Sequence, residues 1–219
     1  PSLFLEAASI PAHRAIFQAG TALSRTLEQG RRIDAKNQRG VMEAAFGGSD
    51  ADGLWTWKDA YEATEVAQLL FLKKFGAAMR RKAGSVEAFL AMIERLAGLA
   101  PTQTKRSEDA QVLQQFSTPL TIALAAAEAA AIDENDLVLE PSAGTGMLAI
   151  FARNAGARLV LNEYAKLRAE LLAQLFETDG VTRFDAATIH DRLDPSLVPS
   201  VIIMNPPFSA SPKVEGRYK

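Results

Sequence analysis

Residues 106–219 predict an α/β domain on a parallel sheet, and residues 1–105 predict an all-helical domain ahead of it. Two observations carry this. Before Ala110 the apolar residues recur at helical spacing. After it, four short apolar runs alternate with helical stretches, the pattern of β-α-β units.

In the first part, Ile16, Ala19, Leu23 and Leu27 fall on one helical face. "GGSDADG" (47–53) is a loop by composition. A long helix is expected from about Trp57 to Gly84. Ser85 then caps a further helix, with Glu87 in its first turn. The polar, Pro101-containing stretch 100–109 marks the boundary between the domains.

The four apolar runs are Leu137–Leu139, Leu159–Leu161, Val181–Phe184 and Val201–Met204, the third interrupted by Arg183. Runs without alternation predict strands covered by helices on both faces, a doubly wound arrangement. Helices are expected at 146–155 and 164–176, the second with Leu167, Leu171, Leu172 and Leu175 on one face. Each run ends on a polar side chain: Glu140, Asn162–Glu163, Asp185 and Asn205. One such residue is as readily a helix cap or a solvated turn. Four together predict a binding crevice, because ligands of open parallel sheets sit outside the carboxyl ends of the strands.

The first tip runs into "LEPSAGTGMLA", where Gly144 and Gly146 allow a tight turn and close approach of backbone to a ligand. Gly144, Gly146 and Ala149 satisfy G-x-G-x-x-A, a weak signal alone, and Glu163 follows Gly144 by 19 residues, where a ribose-binding acid is expected. A nicotinamide dinucleotide and an adenosyl sulfonium both fit. The fourth tip, "NPPF" (205–208), separates them. The lone pair of an exocyclic amino or amide nitrogen is delocalised, so that nitrogen is a poor nucleophile. Accepting its hydrogens on the Asn205 side-chain oxygen and the Pro206 carbonyl would aim it at a methyl donor. Pro206 and Pro207 restrict the backbone, and Phe208 can stack on a flat substrate. The competing reading is a rigid bend with Phe208 in the core.

Composition narrows the field. Apolar residues are 48% and charged residues 23%, as in ordinary globular chains. There is no cysteine and only His13 and His190, which excludes disulfides, thiolate chemistry and a histidine-rich metal site. Residues 1–110 hold 15 Lys/Arg against 13 Asp/Glu and residues 111–219 hold 9 against 13, so neither half is a strong trap for nucleic acid. Lys73, Lys74, Arg80, Arg81 and Lys82 read as a solvated helix face rather than a phosphate contact, Trp55 and Trp57 as packing between helices, and His190 as a surface or capping residue. No signal peptide or membrane span is expected, which leaves a cytoplasmic location.

These residues resemble class I S-adenosylmethionine-dependent methyltransferases, in particular N6-adenine DNA methyltransferases of the gamma order, over about residues 111–211. The resemblance implies a Rossmann-like sheet, here with about four parallel strands. "QFSTPL" (115–120) is similar to the segment that closes over the methionine part of the cofactor, which points to Phe116, Thr118 and Pro119. "EPSAGTG" is similar to the cofactor glycine loop, and implies roles for Glu140, Pro141, Ala143, Gly144, Thr145 and Gly146. Glu163 matches the ribose acid, and Asp185 with Ala186 the adenine position. Asn205, Pro206, Pro207 and Phe208 match the catalytic motif, Asn205 also bordering the cofactor. No metal is implied.

The stretches "GARLVLNE", "IHDRLDP" and "MNPPFSASPKVEGR" also resemble the methyltransferase-like region of large bacterial proteins in which a strawberry-notch-type helicase follows. Such folds have about three strands after the N-P-P-F strand, whereas 11 residues follow Phe208 here. The chain is therefore expected to be part of a longer polypeptide, with an edge strand open to the remaining strands or to a second copy, and its activity by itself is in question. The expected reaction is methylation of an exocyclic nitrogen, adenine N6 in DNA ranking first. Guanine N2 in RNA and a protein glutamine amide also suit the motif. A non-catalytic nucleotide-binding scaffold of a helicase and a nicotinamide oxidoreductase are the readings from other classes.

Overall fold

The computed structural model describes residues 10–101, 117–177 and 180–206. Four helices come first: α1 (Ala12–Glu28), α2 (Ala35–Phe46), α3 (Trp57–Ala83) and α4 (Val86–Gly98). After residue 117 follow α5 (Leu120–Ala129), β1 (Leu137–Glu140), α6 (Ala149–Asn154), β2 (Arg158–Asn162), α7 (Lys166–Leu175), β3 (Val181–Thr182), a 3₁₀ helix (Ala186–Asp191) and β4 (Val201–Ile202). The strands form one parallel sheet in the order β3-β2-β1-β4. The fold is thus α/β. The boundary expected near residue 105 lies outside the described residues.

Local signals set the helix ends. Asp34 caps α2 by accepting from the Asn37 N–H. Thr56 and Asp59 form a capping box at α3, which stops at Gly84 in the left-handed region (φ 72°). Ser85 then accepts from the Ala88 N–H and starts α4. The long helix and its successor are where the sequence predicts them.

Two strands are shorter than expected, and for β3 the cause is visible. The Phe184 N–H and carbonyl bond the Asn162 side chain, at 2.7 and 2.9 Å, instead of a neighbouring strand. Pairing of β4 with β1 continues on either side of its two ladder residues, through Ser200 N–H to Leu137 O (2.9 Å) and Ile203 N–H to Leu139 O (3.1 Å).

The two faces of the sheet differ. Val138, Leu159, Leu161 and Ile203 join a single hydrophobic cluster with side chains from all seven helices, including Ile16, Leu23, Met42, Leu69, Leu72, Phe89 and Phe151. The opposite face holds Leu139 and Val160 against Ile189 of the 3₁₀ helix. The expectation of helices on both faces is therefore corrected: among the described residues the second face carries only the 3₁₀ segment. Ile202 and Met204 on that side are more than half exposed. One cluster spans both parts of the chain, so burial of the sheet depends on the N-terminal helices.

The closest helix contact is between α1 and α3. A Cβ at Gly20 would lie 2.4 Å from Val66 Cγ1 and 2.9 Å from the Ala63 carbonyl. Alanine is the better helix former by roughly 0.5–1 kcal/mol, yet overpacking costs roughly 1–3 kcal/mol. Gly20→Ala is expected to lower stability by about 1–2 kcal/mol in urea titration; a stabilised variant would show that the helices can part freely.

Candidate functional site

The strand tips meet at a cavity of about 780 Å³ beyond the carboxyl ends of the strands. Of the residues singled out from sequence, Thr118, Glu140, Pro141, Ala143, Gly144, Thr145, Glu163, Asp185, Ala186, Asn205 and Pro206 line it. Phe116, Pro207 and Phe208 lie outside the described residues. Pro119 is the N-cap residue of α5 and faces a second, neighbouring cavity. Gly146 is not among the lining residues: a Cβ there would meet Phe176 at 2.5 Å and Leu172 at 2.9 Å, so the bare backbone lets α7 close on the loop.

The glycine loop is held from two sides. Gly144 and Gly146 have φ of 57° and 100°, which side chains resist. The Gly144 N–H donates to Glu163 Oε2 at 2.8 Å, and the Ala165 N–H donates to Oε1 at 2.8 Å. Each carboxylate oxygen keeps a second acceptor site. From beneath, the Thr145 hydroxyl donates to Glu65 Oε2 at 2.8 Å. Helix α6 begins at Ala149, three residues beyond Gly146 and later than expected.

Asn162, fully buried at the end of β2, sets the spacing of the tips. Its Nδ2 donates to the Pro141 and Phe184 carbonyls, both at 2.9 Å, and its Oδ1 accepts from Phe184 N–H and the Thr182 hydroxyl. One amide thereby ties the ends of β1 and β3 to β2. Across the cavity, Asn205 Nδ2 donates to Thr118 Oγ1 at 3.1 Å. That bond commits the NH₂ end of the amide and leaves Oδ1 as the acceptor, with no hydrogen bond to any described residue.

The electrostatics are acidic. Glu140, Glu163 and Asp185 line the cavity against a single cation, Arg168. Arg168 Nε donates to Glu62 Oε1 at 2.9 Å, both residues being buried. Burial by itself pulls the guanidinium pKa down, but Glu65, Glu62 and Glu163 around it carry it up, so the charge stays. Burial pushes the Glu62 carboxyl up, opposed by Arg168. Glu140 is pushed well above the ordinary carboxyl range by complete burial, with the Ala149 N–H pulling the other way and Glu163 adding repulsion. Its Oε2 is buried without a partner.

Glu62, Glu65, Arg168 and Asn162 do structural work that sequence reading left unassigned. A signal for the first two exists. On α3 they share the buried stripe of Leu69, Leu72 and Gly76, and carboxylates on such a stripe need partners. The basic residues of α3 are occupied: Lys73 on the Leu175 carbonyl, Lys74 on Glu28 and Arg80 on Glu128. Trp55 is buried edge-on to Trp57, as expected of packing. His190 is exposed beside Asp191. Among the described residues no cluster suited to a metal ion occurs, and no helix is long and apolar enough to cross a membrane. Comparison with family models, curated proteins and solved structures found no match to the chain.

Two outcomes follow from the buried charges. Arg168→Met strands the Glu62 carboxylate and is expected to cost about 3–5 kcal/mol in chemical denaturation, with much of the loss recovered by adding Glu62→Met; equal loss in single and double variants would contradict the pairing. Glu140 binds its proton more tightly folded than unfolded, so its contribution to stability falls as pH rises above 4.5. Glu140→Gln is expected to match the native chain below that pH and to exceed it at neutral pH in paired thermal melts. A constant difference across pH would mean the carboxyl is not protonated in the fold.

Proposed function

We propose that the chain belongs with the class I methyltransferases, binds S-adenosylmethionine in the larger cavity, and serves transfer of its methyl group to an exocyclic amino nitrogen. Adenine N6 of DNA is the favoured acceptor. The observation that carries this reading is the Thr118–Asn205 hydrogen bond. It joins the segment expected at the cofactor to the amide expected at the acceptor, and it turns Asn205 Oδ1 free to receive an N–H.

The residues present fit the cofactor. Glu163 retains acceptor capacity for vicinal hydroxyls while gripping the glycine loop. Glu140 places an orphaned carboxyl oxygen at the cavity wall. Three acidic residues against one paired arginine favour a cation without phosphates over a dinucleotide carrying two. Bound there, the cofactor would supply an electrophilic methyl on a positively charged sulfur. Asn205 Oδ1 and the Pro206 carbonyl would accept the two amino hydrogens, orient the nitrogen lone pair and steady the positive charge that grows on it. The N–C bond forms as the S–C bond breaks, and one amino proton is released to water. No side chain of the cavity needs to act as a covalent nucleophile.

Calorimetric titration with S-adenosylhomocysteine and, separately, NAD tests the reading. Binding of the first alone is expected. Asn205→Ala is then expected to keep that affinity within a few-fold and, in tritiated-cofactor assays on DNA, to reduce transfer about 10²–10³-fold. Preference for NAD would favour a redox enzyme, and unaltered transfer by Asn205→Ala would remove the amide from the chemistry.

A further inference from the structure

A second cavity of about 330 Å³ lies behind the first and shares Ser117, Thr118 and Met147 with it as a common wall. Its far side is helix α3, which contributes Tyr61, Thr64, Glu65 and Gln68. Gln68 is nine-tenths buried, lines this cavity, and makes no hydrogen bond with any described residue. A buried amide without a partner costs free energy, and here it faces open space. Beside it stands the Glu65 carboxylate, also buried, which takes the Thr145 hydroxyl at 2.8 Å. No lysine, arginine or histidine lines this cavity.

A buried anion next to an unsatisfied amide, with hydroxyl groups around and no cation, is suited to an ammonium group. We infer that α3 supplies the subsite for the amino-acid end of the cofactor, with Glu65 and Gln68 as the residues that take its ammonium group. This rests on the reading proposed above. It adds two binding residues from the N-terminal helices to a site otherwise drawn from residues after 117. The passage between the cavities runs along Thr118 and Met147. A ligand spanning it has its nucleoside near Glu163 and its charged tail against α3. The same helix holds the glycine loop through Thr145, so loop and tail subsite are positioned by one element.

The test uses two ligands that differ in the tail. S-adenosylhomocysteine carries the amino-acid end, and 5′-methylthioadenosine lacks it. In calorimetric titration of the chain, Gln68→Leu and Glu65→Gln are each expected to weaken S-adenosylhomocysteine about ten- to a hundred-fold. Affinity for 5′-methylthioadenosine is expected to stay within two-fold, which also reports that the fold and nucleoside site are intact. Glu65 bonds the loop as well, so Gln68→Leu, which breaks no existing bond, is the deciding variant. Equal loss of both ligands, or no loss of S-adenosylhomocysteine, by Gln68→Leu overturns the subsite while leaving the cofactor assignment standing. Binding of neither ligand by the unaltered chain overturns the cofactor assignment and the subsite with it.

Discussion

The ion pair between Glu62 and Arg168 is the contact on which the site depends. A carboxylate on α3 and a guanidinium on α7 are both taken out of water, which neither tolerates alone. Their meeting fixes the long N-terminal helix against the helix that follows β2. One turn along α3, Glu65 then reaches Thr145 in the glycine loop. Such a pair adds little net stability compared with a well-packed apolar contact, because desolvation offsets the attraction. Its effect is on geometry, since few alternative packings of α3 would leave both charges paired.

A second constraint acts within the sheet. A parallel ladder ends where backbone groups lose their partners, and Asn162 replaces those partners with one buried amide. The strand tips are thereby held at fixed spacing while the backbone leaves the sheet. Glu163, the next residue, faces the cavity with both oxygens already anchored. Rigidity at that position is useful for a ligand, because less ordering is left to be done on binding.

The two faces of the sheet serve different ends. One is sealed by side chains from seven helices. The other carries only the 3₁₀ segment, which leaves Ile202 and Met204 in the wall of the cavity. Apolar walls with a few fixed polar groups are the usual composition of a small-molecule site.

Much was legible in the sequence. Periodicity and caps located α3, Gly84 and Ser85, because those signals act within one turn of helix. The apolar runs located four strands, and their polar ends named most of the residues that line the cavity. The length of β3 was not legible, because Asn162 replaces the ladder from a strand 20 residues earlier. Gly146 belonged to the right motif, but its neighbours, Phe176 and Leu172, come from a different element. Glu62, Glu65 and Gln68 read as ordinary helix residues, since a sequence does not state what lies across a helix face. Local chemistry therefore determined the elements and the polar tips. Only the tertiary structure decided that a helix some 80 residues upstream underlies the glycine loop, because buried charge selects partners by distance in space rather than along the chain.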